Sequence, residues 1–190
     1  MQPTPRISPQ EYLARERQAA TESEYFGGEL FAMSGASAAH VLLVTNVVSE
    51  LREQLRARDC RVYSTDLRVK VSATGLYTYP DVVVVCGTPR FEDEHGDTLV
   101  NPRVIVEVLA KSTQDYDRGA KFEQYRTIES FVEYVLIAQD KVHVEHIVRQ
   151  ADGRWLLAET NRLDDRIELE SIGAQLALAD VYEKVDLSGA

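Results

Sequence analysis

Two apolar runs, each broken by a single acid, stand out in the hydrophobic pattern of this chain. Val104, Ile105, Val106, Val108 and Leu109 follow one another without the polar alternation of a half-exposed strand, and Glu107 sits among them. Such a run predicts a strand covered on both faces. Upstream, residues 79–85 (YPDVVVV) place Asp81 at the head of four valines. An ionised carboxylate buried without a partner is strongly disfavoured, so both acids are expected to be paired, protonated or bound to a cation.

The remaining pattern predicts an α/β fold. Ser8, Pro9 and Glu11 carry the cap, first-turn proline and capping-box signals of a helix running to about Ala19. Residues 25–33 read as a hairpin turning at Gly27-Gly28. Residues 37–58 form the longest helical pattern, with Val41, Val44, Val48, Leu51 and Leu55 recurring at three and four residues. Strands are expected over 61–64, 67–72 and 76–86, and residues 87–98 read as an exposed loop. After the 104–109 strand, Ser112 or Thr113 is expected to cap a helix reaching about Ile128, with Asp115 completing a variant box for Ser112. A strand over 133–138 and a hairpin over 141–149 and 154–159, turning at Asp152-Gly153, follow. The tail predicts a short strand at 167–169 and a helical stretch at 179–184. With no repeat and no linker, residues 1–190 are expected to form a single domain.

Composition changes this picture little. The 190 residues, 44% hydrophobic and 27% charged, are those of a globular chain able to bury roughly 70% of its unfolded surface. No apolar run approaches the roughly 20 residues of a membrane span, and MQPTPRISPQ has no signal-peptide core, so a cytoplasmic protein is expected. Cys60 and Cys86 lack CxxC spacing and are expected to be small buried residues rather than a disulfide framework or a zinc site. The net charge of −10 argues against nonspecific nucleic-acid binding, because phosphate affinity comes largely from Lys and Arg. It leaves room for a local basic patch.

The order helix, strands, helix, strand, together with a particular set of residues, resembles a known family. That set is Glu24-Tyr25, Gly28-Glu29-Leu30, Met33-Ser34, His40, Pro80-Asp81, Glu107-Val108-Leu109 with Ser112-Thr113, Asp117 with Lys121 and Tyr125, and Glu133-Tyr134. Over roughly residues 8–185 it resembles the Uma-two restriction endonuclease family of the PD-(D/E)XK nuclease superfamily. The resemblance implies a restriction-endonuclease-like core of helix, three strands, helix and strand, with an added N-terminal helix and hairpin and a C-terminal β-hairpin. It also implies that Asp81 and Glu107 are metal ligands, joined by the backbone carbonyl of Val108.

Chemistry supports that expectation independently. Mg²⁺ prefers oxygen ligands and commonly takes one or two carboxylates plus waters. Bound, such an ion lowers the pKa of water and offsets charge developing on a phosphate. The motif's lysine is missing from its usual place, where this chain has Leu109. Lys111 and Lys121 are the alternatives. Lys111 lies about 13 Å along an extended strand from Glu107. Lys121 lies on the next helix in one row with Asp117 and Tyr125, and is the favoured catalytic lysine. Glu29, His40, Asp117 and Ser112 are accessory candidates, while Asp66 is either an acid behind the metal ligands or a turn residue, the latter favoured. A strand over 141–149 puts His143 and His146 on opposite faces, which disfavours one shared metal. GxSxG, GxxxxGK[ST] and HExxH are all absent.

The leading expectation is a Mg²⁺- or Mn²⁺-dependent endonuclease acting on DNA, with Arg52, Arg56, Arg68, Lys70, Arg118 and Arg126 as candidate backbone contacts. Sheet edges or the C-terminal hairpin offer a route to a homodimer. The competing readings are a catalytically inactive nuclease-fold domain used in binding or assembly, and a metal-free acid–base hydrolase using the two carboxylates.

Overall fold

The computed structural model of the protein describes residues 6–33 and 35–187. Helix α1 (Pro9–Glu16) starts as expected, with Ser8 Oγ accepting the Glu11 N–H at 3.1 Å. It ends short of Ala19, and the side chain of Arg17 at its C-cap binds Asp93 and Asp97, both at 2.7 Å. Glu11 pairs with Arg15 one turn on. The hairpin of β1 (Ser23–Phe26) and β2 (Glu29–Ala32) turns at Gly27 and Gly28, both at positive φ, where a glycine costs least. Helix α2 (Ala38–Gln54) is capped by Ser37. Its buried face is Leu43, Val44, Val47 and Leu51, so the expected stripe is rotated: Val41 points outward and is 53% exposed.

Then follow β3 (Cys60–Ser64), β4 (Arg68–Val71), β5 (Leu76–Thr78) and β6 (Val82–Cys86). The single strand expected over 76–86 is therefore two. Pro80 has no N–H for a ladder and breaks the run, sending β5 and β6 into different sheets. Part of the expected loop pairs as β7 (Thr98–Leu99), parallel to β4. β8 (Val104–Leu109) is buried throughout, as its apolar run required. The next helix is composite: α3 (Gln114–Tyr116), a π-helical stretch Asp117–Lys121, and α4 (Phe122–Tyr125). Thr113 stands at its start without a side-chain cap bond, and the helix stops three residues before Ile128, so the expected Ser112–Asp115 box is absent.

β9 (Glu133–Ala138) matches its expectation, and β10 (Val144–Arg149) and β11 (Trp155–Thr160) form the expected hairpin. β12 (Arg166–Leu169) pairs with β13 (Ala174–Ala177), which the sequence reading missed, before α5 (Leu178–Val181). A six-stranded sheet in the order β11-β10-β9-β8-β6-β3 is the centre of the fold, beside a five-stranded sheet in the order β2-β1-β5-β4-β7. β8 and β9 run parallel, whereas β6 and β8 run antiparallel.

The two faces of the central sheet have separate cores. Val82, Val84, Val104 and Val106 pack with Leu43, Val47 and Leu51 of α2 and with Leu176 and Leu178. Val83, Val85 and Ile105 pack on the other face with Tyr125, Phe131 and Tyr134, and with Val69 and Leu99 of the second sheet. Parity along β6 and β8 decides which side chain goes where.

Cys60 and Cys86 correct the sequence reading. The β3–β6 register sets them opposite one another with Cα atoms 4.0 Å apart, and they form a disulfide. Two cysteines 26 residues apart carry no spacing signature; only strand pairing reveals their proximity. Among the described residues no helix is long and apolar enough to cross a membrane.

Candidate active site

The antiparallel pairing of Val82 with Val106 and Val84 with Val104 extends by one step to place Asp81 directly across from Glu107. Residues directly opposite in such a ladder project to the same face. Both acids therefore project to the side of Ile105 and Tyr125, over which the composite helix lies. Asp81 is fixed from two directions. Its Oδ2 accepts the Val108 N–H at 2.7 Å, and its Oδ1 lies 2.8 Å from His40 Nε2. His40 reaches it from the first turn of α2.

Glu107 is buried, and Lys121 Nζ and Tyr125 OH donate to its Oε1 at 3.1 and 3.0 Å. Both donors take the same oxygen, which leaves Oε2 to the cavity that Glu107 lines. Lys121 also contacts Glu24 at 3.2 Å and Asp117 at 3.3 Å, so one ammonium serves three carboxylates. The π-helical stretch explains how Asp117, Lys121 and Tyr125 share a row. In a regular α-helix the first and last would be about 80° apart, whereas an average near four residues per turn aligns them.

Charge is tuned accordingly. Burial pushes the Glu107 carboxyl up to about 8; Asp81, Asp117 and Glu24 add to this, and Lys121 opposes it. Burial also raises Asp117, again against the pull of Lys121. Burial alone would lower Lys121, but Glu107, Glu24 and Asp117 together raise it well above its ordinary value. The surrounding carboxylates thus favour the charged form of Lys121, and burial favours the protonated forms of Glu107 and Asp117.

The acids open into a cavity of about 830 Å³. Glu22 and Asp66 stand at its edge, where burial and then the charge of Asp66 raise the Glu22 carboxyl. Asp66 stands in the chain reversal expected, at φ +44°, and also lines the cavity. Phe26, Phe31 and Met33 of the hairpin form an apolar wall.

The structure brings Asp81, Glu107, Val108, Lys121, Asp117, His40 and Ser112 to this cavity. It does not bring Glu29, which is exposed on β2 and lies outside the lining. Nor does it bring Lys111, which lines a neighbouring cavity. Ser34 lies outside the described residues. Glu24 is the residue that sequence reasoning missed as a site member: it is buried, accepts from the Thr78 hydroxyl and contacts Lys121. An acid in the middle of a short apolar strand was the available signal.

Two expected phosphate contacts are corrected as well. Arg68 is buried and held by Tyr79, Thr98 and Asp97, and Lys70 is paired with Glu92. His146 is buried against Glu133 at 2.6 Å, while His143 lies with Glu145 and Glu159, so the two histidines take separate environments as expected. The His143, Glu145 and Glu159 ligand atoms lie within 4.8 Å of one another, but Arg118 already supplies a cation to Glu145 at 2.7 Å.

Comparison with known proteins agrees with this architecture. The family model Uma2, described as "Putative restriction endonuclease", matches residues 9–179. "Uncharacterized protein slr1290" of Synechocystis sp. is 34% identical over 180 residues, covering 95% of this chain and 93% of its own. "Uncharacterized protein sll1609" of the same organism is 39% identical over 149 residues, covering 78% and 84%. The fold is similar to the crystal structure of "a putative nuclease belonging to DUF820" from Anabaena variabilis, with TM-score 0.73 at 18% identity over 93% of this chain and 97% of that one. The fold is thus restriction-endonuclease-like, and the chain belongs to the Uma2 family, described as "Putative restriction endonuclease".

Proposed function

We propose that this chain is a metal-dependent endonuclease that hydrolyses DNA phosphodiester bonds. The observation that carries the reading is that Asp81 and Glu107 line one cavity with Lys121 3.1 Å from the second acid. The donor set suits a hard divalent cation such as Mg²⁺ or Mn²⁺: carboxylate oxygens, a backbone carbonyl and a cavity roomy enough for water. Asp81, Glu107 and the Val108 carbonyl would hold it, and it would supply Lewis-acid polarisation of the phosphate and acidification of a water.

The protein's own groups do the rest. His40 and the Val108 N–H keep the Asp81 carboxylate aimed at the cavity. Tyr125 fixes the Glu107 rotamer. Lys121, a cation beside the site of attack, orients the incoming water and offsets negative charge on the phosphoryl oxygens. Asp117 and Glu24 hold that ammonium in place.

Plasmid DNA incubated with Mg²⁺ or Mn²⁺ is expected to be nicked or linearised by the wild type and by neither Asp81→Ala nor Glu107→Ala. Equal cleavage by all three overturns the assignment. A homodimer fits the open edge at β11, where Leu156 and Leu157 are exposed. Light scattering is expected to give twice the chain mass for the wild type and the single-chain mass for Leu157→Glu; a monomeric wild type removes this part.

A further inference from the structure

The acid cavity is one of two that meet at a polar ridge. Ser37 and Gln139 line both, and the Ser37 hydroxyl donates to Gln139 Oε1 across the boundary. The same hydroxyl accepts the His40 N–H, and His40 in turn holds Asp81, so the ridge is one hydrogen-bonded step from the acids. Beyond it lies a groove of about 730 Å³ of opposite character. Lys111, Arg118, Lys141 and Lys184 line it against two carboxylates, Asp140 and Asp186.

In a chain of net charge −10 the lining of this groove carries four cations and two carboxylates, whereas the acid cavity beside it carries six carboxylates against Lys121 and His40. Arg118 is engaged by Glu145, and Lys184 by Glu183. Lys111 and Lys141 are exposed. The opposite wall of the acid cavity offers Phe26, Phe31 and Met33 and no cation.

We infer that this groove holds the phosphodiester backbone of the substrate DNA on one side of the scissile bond, with Lys111 and Lys141 each neutralising one phosphate. The inference rests on the nuclease reading for its substrate. It adds a direction: the strand leaves the acids over the Ser37–Gln139 ridge, not over the apolar hairpin. It also explains how an acidic chain engages a polyanion, through one groove rather than through its whole surface. An exposed lysine is a point charge on a flexible stem, so these contacts position the strand without reading its sequence.

The test is the salt dependence of oligonucleotide binding, followed by fluorescence anisotropy with Ca²⁺ as the divalent cation. The variants are Lys111→Ala/Lys141→Ala and, as a control of equal charge change, Arg154→Ala/Arg162→Ala, exposed and outside both cavities. Each released phosphate contact contributes about 0.9 to the slope of log affinity against log salt on duplex DNA, so the groove variant is expected to be shallower by about 1.8. That equals about a tenfold smaller loss of affinity between 50 and 200 mM salt in the conditions for which the rule is stated. The control is expected to keep the wild-type slope.

Equal slopes in both variants, an unchanged slope in the groove variant, or no binding by the wild type overturns the inference. Cleavage is scored separately. Wild-type cleavage with an unchanged groove slope removes the groove and keeps the nuclease. The expected slope change in a protein that cuts nothing with Mg²⁺ or Mn²⁺ keeps the groove and removes the nuclease.

Discussion

Glu107→Gln is expected to abolish metal-dependent cleavage and yet to melt higher than the wild type at pH 8. The Glu107 carboxyl is pushed up to about 8 by burial, against an ordinary value of 4.5. Between those two values the folded chain retains a proton that the unfolded chain releases, so stability falls as pH rises through the window. Above about 8 the whole cost of an enclosed carboxylate is present. Glutamine keeps an acceptor for Lys121 and Tyr125 and carries no charge, so it removes that cost, on the order of 4 kcal/mol at pH 8 and little at pH 4.5. For a chain of this size each kcal/mol moves the melting temperature by roughly 2–4 °C. The same change deletes a charged oxygen from the proposed ion-binding set, with cleavage falling about 10³-fold or more. Thermal melts at pH 5 and pH 8 beside plasmid assays check both halves. A variant less stable than the wild type at pH 8 contradicts the electrostatic account, and one that still cuts contradicts the catalytic one.

Lys121→Met acts in the opposite sense. Its ammonium is within 3.3 Å of Glu24, Glu107 and Asp117, and removal leaves three enclosed carboxyls without a cation. Breaking a buried ion pair from one side costs about 3–5 kcal/mol, so the melting temperature is expected to fall by roughly 10 °C at pH 8. Losing the cation drives the carboxyls toward higher pKa, and the folded state then binds protons more tightly than the unfolded one. The deficit is therefore greatest at high pH and shrinks as pH falls toward 5. Mn²⁺ is expected to restore part of it, because a bound cation replaces the missing charge. Cleavage should drop about 10²–10⁴-fold if the lysine handles the attacking water. A deficit independent of pH and of Mn²⁺ would assign Lys121 a packing role only.

What could be read from residues alone followed the physics of each signal. β8 and β9 were legible because runs of Val, Ile and Leu without alternation have few other uses in a chain of this length. Asp81 and Glu107 were legible because acids in such runs require an explanation. The break at Pro80 was written in the sequence too, but the valines after it read as a continuation of Leu76–Thr78. Val41 fitted the helical period as well as Leu43 does; which face a helix buries depends on the sheet it meets. The Cys60–Cys86 bond depends on a contact between distant segments, to which local pattern is blind. The row of Asp117, Lys121 and Tyr125 was anticipated, but not the widened helical turn that straightens it.

That turn has a consequence for how such a site can arise. A widened turn amounts to one residue more than the surrounding helix needs, and Gly119 and Ala120 at its middle are exposed and free to be that surplus. Gaining a single codon there would swing a lysine underneath a strand carboxylate while every strand stayed where it was. The acids belong to the rigid sheet and the ammonium to an adjustable cylinder, so the two halves of this charge cluster can be rebuilt independently by lineage or by design.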